Sequence, residues 1–87
     1  MDHTYILAPG TQVREEDFGL LFYSMSGPRL HFISLGGTLD SRFFVGQKTL
    51  EQWLAEREPK GEITWEQRLR IVHVLKQLRD KGVIIER

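Results

Sequence analysis

The sequence predicts an α+β domain, a three-stranded antiparallel β-meander followed by three α-helices. Three observations predict it. Runs of β-forming residues separated by turn residues fill roughly the first 35 positions, whereas helix-capping patterns and 3.6-residue periodicity begin only after them. Strands and helices segregated in this way point to α+β rather than to alternating parallel β/α units. No long linker, repeat or low-complexity segment interrupts the 87 residues, so one domain spans 1–87, with 1–10 as an N-terminal arm or strand.

Tyr5-Ile6-Leu7-Ala8 is a short apolar run closed by Pro9-Gly10, a turn signal. β-formers and charges around Val13 suit an outer strand. Leu20-Leu21-Phe22-Tyr23 is apolar nearly throughout, which predicts that both of its faces are covered. In Leu30-His31-Phe32-Ile33, the period of two places Leu30 and Phe32 on one face and Arg29, His31 and Ile33 on the other. Between these runs, Gly27 can supply positive φ and Pro28 cannot donate to a central ladder, so the turn is expected there. The result is a hairpin over residues 13–34 whose last strand is an edge.

Gly36-Gly37 closes the strand half. Thr38 or Asp40 is placed to cap a short first helix covering Leu39, Phe43 and Phe44, which Gly46 ends. Thr49 with Gln52, and Thr64 with Gln67, have capping-box spacing and open the second and third helices. Glu58-Pro59-Lys60-Gly61 reads as the loop between them. The third helix runs to Lys81, with Gly82 at the C′ position, and Val83-Ile84-Ile85 beyond it is a closing clasp or short strand. On this helix Trp65, Leu69 and Val72 form one apolar group. Ile71, Leu75 and Leu78 form another, with Val74 beside them. Arg68 and Arg79 lie inside the combined arc, which is wider than a simple surface helix needs: either the helix packs centrally against both the sheet and the other helices, or part of the arc, with Arg68 and Arg79, faces an open groove. Phe18, Tyr23 and Trp53 read as core residues, with service at a partner surface the alternative for one of them.

Composition limits the function. A chain of this size buries roughly 60–65% of its unfolded surface and has a stability on the order of 4–13 kcal/mol, which leaves little room for a deep catalytic pocket. Twelve basic residues balance twelve acidic ones, so no global positive field favours nucleic acid or an anionic membrane. The absence of cysteine removes disulfides, thiolate metal sites and a thiol nucleophile. Glu15-Glu16-Asp17 reads as a solvated run rather than a metal site. His3, His31 and His73 lack ligand spacing, and Ser24, Ser26 and Ser34 have no identifiable base. No catalysis, cofactor or metal is expected. No signal peptide or transmembrane-length run is seen, and a cytoplasmic setting is the default.

Binding signals are stronger. An edge strand offers unpaired N–H and C=O groups to an incoming extended segment; the competing reading is an edge protected by its charges or by the N-terminal arm. The candidate binding residues are Arg29, Leu30, His31, Phe32, Ile33 and Ser34 on the strand. Ile71, Val74, Leu75 and Leu78 are candidates for an apolar groove wall, with Arg68 and Arg79 to pair with acids.

The order of these pieces resembles a family. Gly46-Gln47-Lys48-Thr49-Leu50 opens the second helix, and Leu78-Arg79-Asp80-Lys81-Gly82-Val83-Ile84 ends the third. Together they are similar to the winged-helix-like recognition elements of ribosomally made, modified peptides typified by the pyrroloquinoline-quinone peptide chaperones. Within that group, Val13-Arg14-Glu15-Glu16-Asp17-Phe18-Gly19-Leu20-Leu21-Phe22-Tyr23 followed by Arg29-Leu30-His31-Phe32-Ile33 resembles the mycofactocin-system peptide chaperones. The resemblance covers about residues 11–87. It implies that a precursor peptide's leader binds as an added strand beside residues 29–34, next to the third helix. It also implies presentation of that precursor to a radical S-adenosylmethionine (SAM) maturase. Two rivals use the same surfaces: a winged-helix DNA-binding protein with Arg68, Arg70, Lys76, Arg79 and Lys81 on its recognition helix, and a homodimeric interaction subunit pairing through the same edge.

Overall fold

The computed structural model describes residues 3–25, 29–35, 37–56 and 63–87. The turn expected at Gly27-Pro28, Gly36 of the glycine pair and the expected loop at 58–61 lie outside them. Among the described residues five strands and two α-helices form: β1 (Tyr5–Leu7), β2 (Thr11–Glu16), β3 (Gly19–Ser24), β4 (Leu30–Ile33), α1 (Leu50–Ala55), α2 (Trp65–Asp80) and β5 (Ile84–Glu86). The architecture is α+β.

Strands β2, β3 and β4 make an antiparallel sheet in that spatial order. Its register sets Val13 opposite Phe22 and Phe22 opposite His31, with Leu20 opposite Ile33. Because side chains alternate along a strand, Val13, Leu20, Phe22, His31 and Ile33 share the inner face, where Leu20 and Phe22 are buried. Arg14, Leu21, Tyr23, Leu30 and Phe32 share the outer face. The predicted cover on both faces of residues 20–23 holds only on the inner one: Leu21 and Tyr23 are half-buried, while Leu30 and Phe32 are exposed.

The predicted first helix is a single 3-10 turn over Ser41–Phe44, so two α-helices stand among the described residues instead of three. Asp40 caps it, its carboxylate accepting from the Arg42 backbone N–H at 2.8 Å. The turn stops after four residues because consecutive Phe43 and Phe44 are both buried, each held by a different neighbour. Phe44 meets Phe22 edge-on at 5.2 Å, and Phe43 meets Trp53 at 5.4 Å, geometries that aromatic quadrupoles favour. Gly46, at φ +78°, then redirects the chain, and a Cβ there would run into Ile6.

Both capping boxes form. Thr49 Oγ1 accepts from the Gln52 N–H at 3.1 Å while Gln52 Oε1 accepts from the Thr49 N–H at 2.9 Å. Thr64 and Gln67 repeat the arrangement at the start of α2. Helix α2 ends in a Schellman motif: the Val83 N–H donates to the Leu78 carbonyl at 2.9 Å and the Gly82 N–H to that of Arg79 at 3.0 Å, with Gly82 at φ +76°. This reversal sends β5 back to pair antiparallel with β1, with Tyr5 opposite Glu86 and Leu7 opposite Ile84. The N-terminal arm and the C-terminal clasp are therefore one two-stranded sheet. Both sheets contribute to one core, in which Ile71, Leu75 and Leu78 of α2 cluster with Leu50, Trp53 and Leu54 of α1, Leu20 and Phe22 of β3, Tyr5 of β1 and Ile84 of β5.

Candidate functional site

Of the sheet's two edges, β2 carries Arg14, Glu15 and Glu16, charges of the kind that discourage pairing. Strand β4, reading Leu-His-Phe-Ile, carries no acidic or basic side chain apart from the imidazole. Among the described residues β4 pairs only with β3, which leaves its other edge open.

The hydrogen-bond phase identifies which groups that edge offers. The Ser24 N–H donates to the Arg29 carbonyl at 3.4 Å, so these two form a bonded pair in the β3–β4 ladder. Bonded and non-bonded pairs alternate in an antiparallel ladder. His31 and Ile33 therefore turn their backbone groups toward β3, and Leu30 and Phe32 turn theirs toward the open edge. The same two residues project side chains from the outer face, 66% and 53% exposed. Main-chain hydrogen-bonding groups and apolar side chains thus coincide at Leu30 and Phe32.

The other predicted strand residues divide by face. His31 is half-buried opposite Phe22, Ile33 packs against the core, and Arg29 and Ser34 are exposed. Arg29 and His31 line a groove with Phe22, Lys81, Gly82 and Val83, so α2 approaches this face through its C-terminal turn. At the other end of β4, Ile33, Ser34 and Leu35 line a cleft with Glu15, Glu16, Asp17, Phe18 and Asp40. There the Gly19 backbone passes so close to β4 that a Cβ would overlap the Ile33 carbonyl.

Of the two readings of the third helix, the structure has central packing and not a groove wall of Ile71, Leu75 and Leu78. Ile71, Leu75 and Leu78 are fully buried in the core and Val74 is partly buried against it, so none of the first three presents a surface to a ligand. Arg68 pairs with Glu51 at 3.2 Å, and Arg79 reaches Asp80 at 3.2 Å and Glu86 at 3.3 Å. Glu86 also accepts from the Tyr5 hydroxyl at 3.1 Å. Burial, reinforced by this carboxylate and offset in part by Arg79, pushes the Tyr5 phenol up to about 12. Arg79 thus belongs to a structural network under the β1–β5 sheet.

The apolar residues that α2 does expose are Trp65 and Leu69, 69% and 52% accessible. Phe18, read from sequence as core, is 80% exposed at the β2–β3 turn, whereas Trp53 is buried with its indole N–H donating to the Thr38 carbonyl at 2.8 Å. Residues that the sequence reading missed at the edge are Lys81 and Val83 on one side and Phe18 and Asp40 on the other. Only the Gly82 stop signal could have placed the first two beside the strand. Among the described residues no three His, Asp or Glu side chains gather as a metal site, and no helix is long and apolar enough to cross a membrane.

Comparison with protein-family models, curated proteins and solved structures returns no match for this chain.

Proposed function

We propose that this protein is a non-catalytic peptide-binding module. It takes the leader segment of a ribosomally made precursor peptide as an added strand on β4 and presents the precursor to a radical SAM maturase in a cytoplasmic pathway of the mycofactocin type. The observation that carries the reading is the coincidence at Leu30 and Phe32 of outward-turned backbone groups with exposed apolar side chains. The meander followed by α1 and α2 is compatible with the winged-helix-like arrangement that the sequence resemblance implies.

Magnitudes decide what the edge must supply. The two residues offer four main-chain groups, each worth about 0.5–1.5 kcal/mol net. Ordering a flexible segment costs about 2–5 kcal/mol. Backbone pairing therefore roughly breaks even, and affinity has to come from side chains. Covering a large apolar side chain contributes up to about 1.5–3 kcal/mol, so Leu30 and Phe32, both already partly covered, supply a fraction of that each. The expected complex is of modest affinity, in keeping with a carrier that must release its cargo.

Titrating isotopically labelled protein with the precursor's leader peptide tests the reading. Amide resonances of residues 29–34 are expected to shift first, together with those of Lys81–Val83. Shifts confined to α1 or to the β1–β5 sheet would reject strand addition at β4.

A further inference from the structure

The open edge is electrically asymmetric. At the N-terminal end of β4, Arg29 and His31 line one groove with Lys81. Neither Arg29 nor Lys81 has an ion-pair partner among the described residues. At the C-terminal end, Ile33 and Ser34 line a cleft with Glu15, Glu16, Asp17 and Asp40. Glu16 is paired with Arg14 and Asp40 with Arg42. Glu15 accepts the Ser41 hydroxyl at 3.2 Å and has Arg42 near enough to act on it through charge, without a direct ion pair, and Asp17 has no ion-pair partner among the described residues. Among the described residues, unpaired positive charge therefore stands at one end of the edge and an excess of four carboxylates over two guanidiniums at the other, with Leu30 and Phe32 exposed between them on the outer face.

We infer that the edge selects its peptide by charge order as well as by apolar content: the bound segment reads, from its N-terminus, basic, apolar, polar, apolar, acidic. This deepens the peptide-binding reading and rests on it. Every pairing in the β2-β3-β4 sheet is antiparallel. A strand added in the same sense sets its N-terminal end beside Ile33 and its C-terminal end beside Arg29. Side-chain alternation then fixes the rest. The residues opposite Phe32 and Leu30 emerge on the outer face and extend the apolar patch. Those opposite Ile33 and Arg29 turn inward, the first toward the cleft of Glu15 and Asp17, the second toward Arg29 and Lys81. The residue opposite His31 faces the half-buried imidazole and is best small and polar. A segment with the reverse charge order would bring like charges together at both ends, which both weakens binding and slows encounter.

Two capped synthetic peptides of identical composition test this. One has the core lysine-valine-threonine-valine-aspartate and the other aspartate-valine-threonine-valine-lysine, each flanked by glycine and serine. Binding to the full chain is followed by fluorescence anisotropy and by amide resonance shifts. The first peptide is expected to bind about tenfold more tightly at low salt, since two partly exposed charge contacts are exchanged for repulsions. The preference should fade at high salt as screening shortens. Arg29→Glu, at an exposed position, should leave the melting temperature unchanged and abolish the preference. Equal affinities with shifts in residues 29–34 would overturn the charge-order rule while leaving strand addition standing. An absence of shifts there with both peptides would overturn the rule and count against the site itself. A concentration-dependent dimer whose protected amides are those of β4 would show instead that a second copy occupies the edge.

Discussion

Tyr5 shows how a single side chain ties the two ends of the chain together. Its ring is buried against Phe43, at 5.8 Å, and its hydroxyl donates to Glu86, which Arg79 also holds. The folded chain therefore keeps the phenol proton more tightly than an unfolded chain, where a tyrosine titrates near 10. Stability from this group is fully present below pH 10 and is lost as pH rises from there through about 12. Chemical denaturation across that range should show the fall, and Tyr5→Phe should remove the part due to this phenol. None of this was legible in the sequence, because Tyr5 and Glu86 lie 81 positions apart. The strand residues of the candidate site were more accessible to reading. Alternation placed Leu30 and Phe32 on one face and His31 and Ile33 on the other, as the structure has them. Phe18 was misread because an aromatic beside an apolar run looks like core, yet it belongs to the tight β2–β3 turn, where it stays exposed.

At the scale of elements, local chemistry was legible wherever it was sufficient by itself. Each capping box needs only a threonine and a glutamine three residues apart, and both form. Thr64→Ala should cost about 1 kcal/mol, within the usual 0.5–2 kcal/mol for a lost N-cap, read as a lower denaturation midpoint with an unchanged slope. Helical phase was less decisive. It separated Trp65, Leu69 and Val72 from Ile71, Leu75 and Leu78, but periodicity does not say which group meets the core. The structure buries the second group, exposes Trp65 and Leu69 of the first and packs Val72 partly against the core, so the residues offered as a groove wall are core. The 3-10 turn was misread as a helix because Asp40 and Gly46 bracket it as helix signals would. The edge strand carries its own prediction. Phe32→Thr keeps a β-former at an exposed position, so stability should change by no more than about 0.5 kcal/mol. Leader affinity should nevertheless fall roughly tenfold, the loss expected from about 1.4 kcal/mol of apolar contact, measurable by isothermal titration.

Across the whole molecule, the chain concentrates its stability away from β4. The β1–β5 sheet joins the ends through paired backbone bonds between Thr4 and Arg87, at 3.1 and 2.9 Å. The aromatic cluster of Tyr5, Phe22, Phe43, Phe44 and Trp53 fastens the 3-10 turn and α1 to β3. What is left open is the edge of a three-stranded sheet, with a neutral strand between regions of opposite charge. A zero net charge thus conceals a local asymmetry, which a reading of composition alone passes over. The most direct test of strand addition is residue-resolved amide hydrogen exchange with and without the leader peptide. In the free protein, Leu30 and Phe32 should exchange fast and His31 and Ile33 slowly, as the ladder phase requires. With peptide bound, Leu30 and Phe32 should become protected while His31 and Ile33 stay as they were. Leu30 and Phe32 amides that exchange equally fast in the presence of saturating leader would contradict the account.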